Sequence, residues 1–206
     1  MNSNFLVYQI FPKILSTSMI KISDNEELIL HNLIKETSYY KVDDNVDLPL
    51  IYASHNKFIL NDDKLIFLKN YITKEFNRFK NNVLQYHNTS FEMTTSWLTK
   101  TPKNHFSDYH YHSNCMFSGI FYFDNSSNLE IRDFESKQFL VLPQTYNDFN
   151  AITYTIKPKK NMIVFFDSRL HHKVQKNNFD ETRYSLAFNF IPKGQLGAGD
   201  SQVFLK

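Results

Sequence analysis

From residue 91 onward, short runs of β-branched and aromatic residues alternate with clusters of turn-forming residues. This texture predicts strands near 91–99, 106–112, 116–123, 128–134, 138–142, 152–157, 161–167, 170–176 and 183–191. Turns fall at Pro102-Lys103-Asn104, Asn125-Ser126-Ser127-Asn128, Pro158-Lys159-Lys160 and Asn177-Asn178. So many short strands at regular spacing specify a sandwich or barrel.

The first 90 residues read differently. Residues 5–22 have an extended pattern, and Ser23-Asp24-Asn25 followed by Glu26 and Glu27 starts a helix over about 24–37, with Leu28, Leu30, Leu33 and Ile34 as its apolar positions. Residues 38–60 read as loop. Asn61-Asp62-Asp63 then caps a second helix to about 83, whose Leu65, Leu68, Ile72, Phe76, Phe79 and Val83 recur three and four apart and form one stripe. Helices first and strands after predict a mainly β fold: a double-stranded β-helix, or jelly roll, buttressed by N-terminal α-helices. At roughly 100–200 residues per domain, the 206 residues form one expected domain. It divides into an N-terminal strand and supporting helices (1–90), a jelly-roll core (91–192) and a tail (193–206). The tail holds three of the four glycines and reads as a mobile segment near the barrel mouth.

Composition removes several function classes. A hydrophobic share of 42% excludes global disorder. With four glycines there is neither GxGxxG nor a Walker-type phosphate loop. The net charge of +2 gives no electrostatic case for nucleic acid. The one cysteine, Cys115, excludes an internal disulfide framework and fits a reducing compartment; it reads as a small core residue. No stretch approaches a membrane span, and no basic leader precedes an apolar run. The expected location is the cytoplasm, or the host cytoplasm if the source is viral.

The chemistry lies in the histidines. In Asp108-Tyr109-His110-Tyr111-His112, a strand would put Asp108, His110 and His112 on one face, since side chains two apart point the same way. Two imidazoles so placed chelate a divalent metal but need a third ligand. His171-His172 follows the apolar run Asn161–Phe166, and one of the two must face inward; spacing alone leaves the choice open. Arg183 and Ser185 come after a turn at Asn177-Asn178 and share a face. A guanidinium with an added hydroxyl suits a carboxylate, so metal and clamp together describe a site for a chelating dicarboxylate. The plainer alternative pairs Arg183 with Asp180 or Glu181.

The ordered set Ser96-Trp97, His110-Tyr111-His112-Ser113-Asn114, Ser118–Phe123, His172-Lys173-Val174 with Asn177, and Arg183–Asn189 resembles the 2-oxoglutarate–Fe(II) oxygenases common in marine bacteria and their phages, relatives of the prolyl hydroxylases. Ile10-Phe11-Pro12 resembles the usual start of that family, so the likeness spans nearly the whole chain. It implies Fe(II) held by His110, His112 and His172, with 2-oxoglutarate as co-substrate. The far carboxylate of 2-oxoglutarate would meet Arg183 and Ser185, and Tyr122 would contact the co-substrate through its hydroxyl. The implied reaction hydroxylates a small-molecule or peptidyl substrate with O2, releasing succinate and CO2. One departure stands out: the wider superfamily uses two histidines and one carboxylate, whereas His112 occupies the carboxylate position here. Asp108 is the alternative acid. Two other readings compete. One is a cupin-like three-histidine metalloprotein that does not use 2-oxoglutarate; Pro158, Phe165, His172 and Asn177 loosely suit it. The other is a non-catalytic jelly-roll binding or structural module. Exposed strand edges would allow a homodimer.

Overall fold

A computed structural model describes residues 6–8, 11–125, 127–134 and 142–205. Among them, β1 (Leu15–Met19) leads into α1 (Asp24–Glu36). The short strands β2 (Tyr39–Lys41) and β3 (Tyr52–Ser54) follow, then α2 (Ile66–Asn82). The strands β4 (Ser90–Thr101), β5 (Phe117–Tyr122), β6 (Leu129–Arg132), β7 (Thr153–Ile156), β8 (Met162–Asp167) and β9 (His171–Val174) come next. The long β10 (Arg183–Leu196) and the terminal β11 (Val203–Leu205) complete the chain. The larger sheet has the order β1-β8-β5-β10-β4-β3-β2, with β11 added to β10, and the smaller sheet has the order β7-β6-β9. All strand pairs are antiparallel. This is the two-sheet, helix-buttressed architecture that the strand texture predicts.

Strict alternation along the central strands sorts residues between two cores. Phe117 and Phe121 of β5, Ile163 and Phe165 of β8, and Leu186, Phe188 and Phe190 of β10 face the helices. There they meet Leu30 of α1 and Leu68, Ile72, Phe76 and Phe79 of α2. Their neighbours Ile120, Tyr122, Val164 and Phe166 face the smaller sheet and pack with Leu129, Ile131 and Ile156. The second core is the jelly-roll interior. Gly119 sits on the helix face of β5, where an added Cβ would lie 2.3 Å from Phe188 Cε2 and 2.7 Å from the Val164 carbonyl oxygen. Gly119→Ala is therefore expected to destabilise the fold by about 1–3 kcal/mol through overpacking. A melting temperature unchanged from the parent chain would contradict this.

Local chemistry explains the helix starts. Ser23 and Glu26 form a reciprocal capping box: the Ser23 N–H donates to Glu26 Oε2 at 2.8 Å, and Ser23 Oγ accepts from the Glu26 N–H. The second start differs from expectation. Asp62 caps a 3₁₀ turn, accepting the Lys64 N–H at 2.9 Å, and α2 begins only at Ile66. The tighter turns at 59–61 and 63–65 bury Ile59, Leu60 and Leu65 before the helix proper. Leu28 and Val83, read as part of the apolar faces, are exposed.

Other expectations are corrected. Residues 38–60 hold β2 and β3 rather than loop alone. No regular strand forms at 106–112; isolated bridges join Phe106 to Leu50 and His110 to His172. Continuous pairing with β9 is broken because the Ser107 hydroxyl, not a backbone carbonyl, accepts the Val174 N–H at 2.7 Å. The tail is not free: β11 folds back on Gly194–Leu196 of β10. The strand expected at 138–142 lies outside the described residues except Leu142, as does Ile10 of the opening motif. Among the described residues, no helix is long and apolar enough to cross a membrane.

Candidate functional site

The extended arm 106–112 lies against β9. His110 and His172 exchange both backbone hydrogen bonds, at 3.0 and 2.9 Å, which sets their rings side by side with centroids 4.4 Å apart. The His112 N–H donates to the Ser168 carbonyl at 2.9 Å, placing a third ring 5.1 Å from His172 and 5.4 Å from His110. One ring nitrogen of each of His110, His112 and His172 lies within 4.8 Å of the others. The cluster grades from exposed (His110) through half-buried (His112) to buried (His172). His171 points the other way, against Tyr111 and Phe134.

All three rings are held through Nδ1. That atom lies 2.8 Å from the Asp108 carbonyl in His110, 2.9 Å from Asn189 Oδ1 in His112 and 2.9 Å from the Leu170 carbonyl in His172. A carbonyl only accepts, so Nδ1 carries the hydrogen and Nε2 keeps its lone pair. Burial, then the neighbouring His110, pushes the His172 pKa down to about 3. Burial likewise lowers that of His112, against the Asn189 hydrogen bond. An imidazole held through Nδ1 with its Nε2 free is able to bind a metal. Trp97 lies 5.4 Å from the His112 ring and Phe166 4.7 Å from the His172 ring, which restricts their rotation. Asp108 enters through its backbone carbonyl; its carboxylate is exposed and outside the cluster. Cys115 is half-buried rather than a core residue and is likewise not in the cluster.

The strand register lays out the rest of the interior face. Thr99, Ser185 and Tyr122 form one row across β4, β10 and β5, and Thr101 and Arg183 form the next. In the other direction come Trp97, Ala187 and Ile120, then Ser118 and Asn189 beside His112. Three buried polar atoms near the Tyr122 and Arg183 rows have no hydrogen-bond partner: Tyr122 Oη, Asp124 Oδ1 and Arg183 Nε. Burial raises the Tyr122 pKa, so its hydroxyl stays protonated and able to donate. Burial also raises the Asp124 pKa, opposed by Arg183, whose Nε lies 4.0 Å from Asp124 Oδ1. Arg183 further contacts exposed Glu181 at 3.2 Å and covers the Phe179 ring at 4.4 Å, while Asp180 pairs with Lys103 instead. Sequence reasoning quoted Asn189 within a motif without a role and did not single out Asp124. The period-two pattern Arg183, Ser185, Ala187, Asn189 is the signal that puts Asn189 on the interior face.

The fold and the histidine cluster define a jelly roll with a metal-competent interior. Residues 95–189 match the family described as "Putative 2OG-Fe(II) oxygenase", and this segment, which holds all three histidines, belongs to that family. That family is one of oxidoreductases that use Fe(II) and 2-oxoglutarate, and the three-histidine cluster inside the matched segment fits Fe(II). No curated protein matches the sequence. Solved structures share the fold at low identity. A 2OG-Fe(II) oxygenase family oxidoreductase from Burkholderia pseudomallei is 13% identical, with a TM-score of 0.56 over 85% of this chain and 84% of that one. A prolyl-4-hydroxylase from Pseudomonas putida is 12% identical, with a TM-score of 0.59 over 87% of this chain and 93% of that one. A prolyl hydroxylase from Trichoplax adhaerens, solved with a hypoxia inducible factor peptide fragment, is 11% identical, with a TM-score of 0.59 over 86% of this chain and 83% of that one.

Proposed function

We propose that the chain hydroxylates its substrate with O2, coupled to conversion of 2-oxoglutarate to succinate and CO2. The observation that carries this reading is the donor set: three imidazoles held through Nδ1 with Nε2 free of protein hydrogen bonds, and a tyrosine hydroxyl and guanidinium Nε buried nearby without hydrogen-bond partners. Imidazole nitrogens suit Fe(II), and a carboxylate accepting from Tyr122 Oη and Arg183 Nε would satisfy both orphaned donors. When bound, iron(II) would activate O2, the oxidant, while 2-oxoglutarate would supply two electrons through its oxidative decarboxylation.

His110, His112 and His172 would hold the metal through Nε2. Arg183, Ser185 and Tyr122 bind and orient the far carboxylate. Ile120, Val164 and Phe166 exclude water from the enclosed side. His110 is the exposed member of the trio, which supports entry of a peptide or small-molecule substrate from that side. The lone cysteine supports residence in the cytoplasm.

Anaerobic titration with Fe(II) and then 2-oxoglutarate tests the reading by visible absorption. A weak charge-transfer band is expected only with both, followed under O2 by succinate equal to substrate turned over. Arg183→Ala should weaken 2-oxoglutarate binding by about thirtyfold to a few thousandfold, since truncating one partner of a buried charge pair costs roughly 2–5 kcal/mol. Iron binding without any band would favour the cupin-like centre. Metal content unchanged in both His110→Ala and His172→Ala would leave a non-catalytic module.

A further inference from the structure

We propose that Asn189 is a positioning residue: its side-chain carbonyl selects the His112 tautomer that leaves Nε2 free for the metal. This rests on the three histidines being the metal ligands. His110 and His172 donate Nδ1–H to the backbone carbonyls of Asp108 and Leu170, which no substitution of those residues removes. His112 alone depends on a side chain. An amide can present either end. Its carbonyl accepts Nδ1–H and frees Nε2; its NH2 would donate to Nδ1 and force the proton onto Nε2, abolishing the ligand.

Three contacts complete the amide with its carbonyl toward the ring. Asn189 Oδ1 accepts a second hydrogen bond from Ser118 Oγ at 2.7 Å, and Ser118 Oγ lies 2.8 Å from Ser168 Oγ. Asn189 Nδ2 donates to Thr95 Oγ1 at 3.1 Å. Thr95 reaches the amide because of an irregularity in β4. Phe188 pairs with Ser96 but Phe190 pairs with Met93, so Thr94 and Thr95 together oppose Asn189. The bulge adds a hydroxyl partner for the amide nitrogen. Ser168, whose hydroxyl extends this network, also accepts the His112 N–H through its carbonyl, so ring and backbone of His112 are tied to one buried cluster.

Outer partners of metal-bound histidines are worth about 10–100-fold in metal affinity. The test uses the full chain, stripped of metal and checked for folding by its amide spectrum. It combines ¹⁵N-edited imidazole NMR, which reads the tautomer, with anaerobic Co(II) titration. The parent chain is expected to show His112 protonated at Nδ1. Asn189→Ala should lose that preference and bind Co(II) about 10–100-fold more weakly. Asn189→Asp, whose carboxylate also accepts from Nδ1–H, should keep the tautomer and bind at least as tightly as the parent. A purely structural amide would instead lower melting temperature in both variants while tautomer and affinity stayed put. The proposal is overturned if Asn189→Ala keeps the parental tautomer and affinity, or if Asn189→Asp loses as much affinity as Asn189→Ala. If the parent chain takes up no Co(II), or His172→Ala takes it up equally, the metal reading itself falls and this proposal with it. Tautomer loss in Asn189→Ala without an affinity change would instead sink the positioning role while leaving the metal centre intact.

Discussion

His172→Ala is expected to keep its jelly roll and lose Fe(II) binding by more than a hundredfold, and activity with it. His172 is the buried member of the trio, on β9, its ring 4.4 Å from that of His110 and 5.1 Å from that of His112. Loss of an outer hydrogen-bond partner already costs about 10–100-fold, and loss of a ligand removes a bond to the metal itself. Fe(II) titration checks the affinity, and circular dichroism checks the fold; retained affinity would refute the ligand assignment. The same residue gives the metal-free chain a pH dependence. Its folded pKa, about 3, lies below the ordinary value of 6.5, so the folded chain binds fewer protons than the unfolded one through that interval. Its contribution is therefore fully present above about pH 6.5 and is lost progressively as pH falls toward about 3. His112 shifts in the same direction, so a His172→Phe chain should melt with a shallower acid slope rather than none.

Phe76→Ala should cost about 3–5 kcal/mol, the range for deleting a fully buried phenylalanine. Phe76 is 1% exposed and joins α2 to the larger sheet. Its ring stacks on Phe190 at 4.0 Å and meets Phe91, Phe117 and Phe165 at 5.3, 5.7 and 5.5 Å. No single rotamer change among four rigid rings can fill the vacated space, so a cavity term adds to the lost transfer energy. Against a typical total of about 5–15 kcal/mol, the loss should lower the melting temperature by on the order of 10 °C. Thermal melts of Phe76→Ala and Phe76→Leu check this; a shift of under about 2 °C for alanine would mean that α2 does not anchor the sheet.

The parts legible in the sequence share a local cause. Short runs of β-branched and aromatic residues mark β5, β8 and β10, and the three-and-four spacing of Leu68, Ile72, Phe76 and Phe79 marks α2. The capping box at Ser23 is readable because both partners lie within four residues. What was missed depends on distant pairing. Tyr39-Tyr40-Lys41 and Tyr52-Ala53-Ser54 are too short to show a period and become strands only by extending β4. The arm 106–112 carries a strand pattern, but the Ser107 hydroxyl takes a backbone donor that a ladder would need.

The sequence by itself determined the fold class, the residue types able to bind a metal, and the spacing that sets His110 and His112 on one face. It did so because side-chain direction follows from backbone period within a few residues. Spacing left His171 and His172 open and only the family resemblance pointed to His172; the tertiary structure brings His172 to the pair through the His110–His172 backbone pairing. Only it decided that Asp108 offers a carbonyl instead of a carboxylate, and that Asn189, 77 residues after His112, holds that ring. Those outcomes rest on contacts between segments far apart in the chain, and no local pattern of residues encodes which strand will lie beside which.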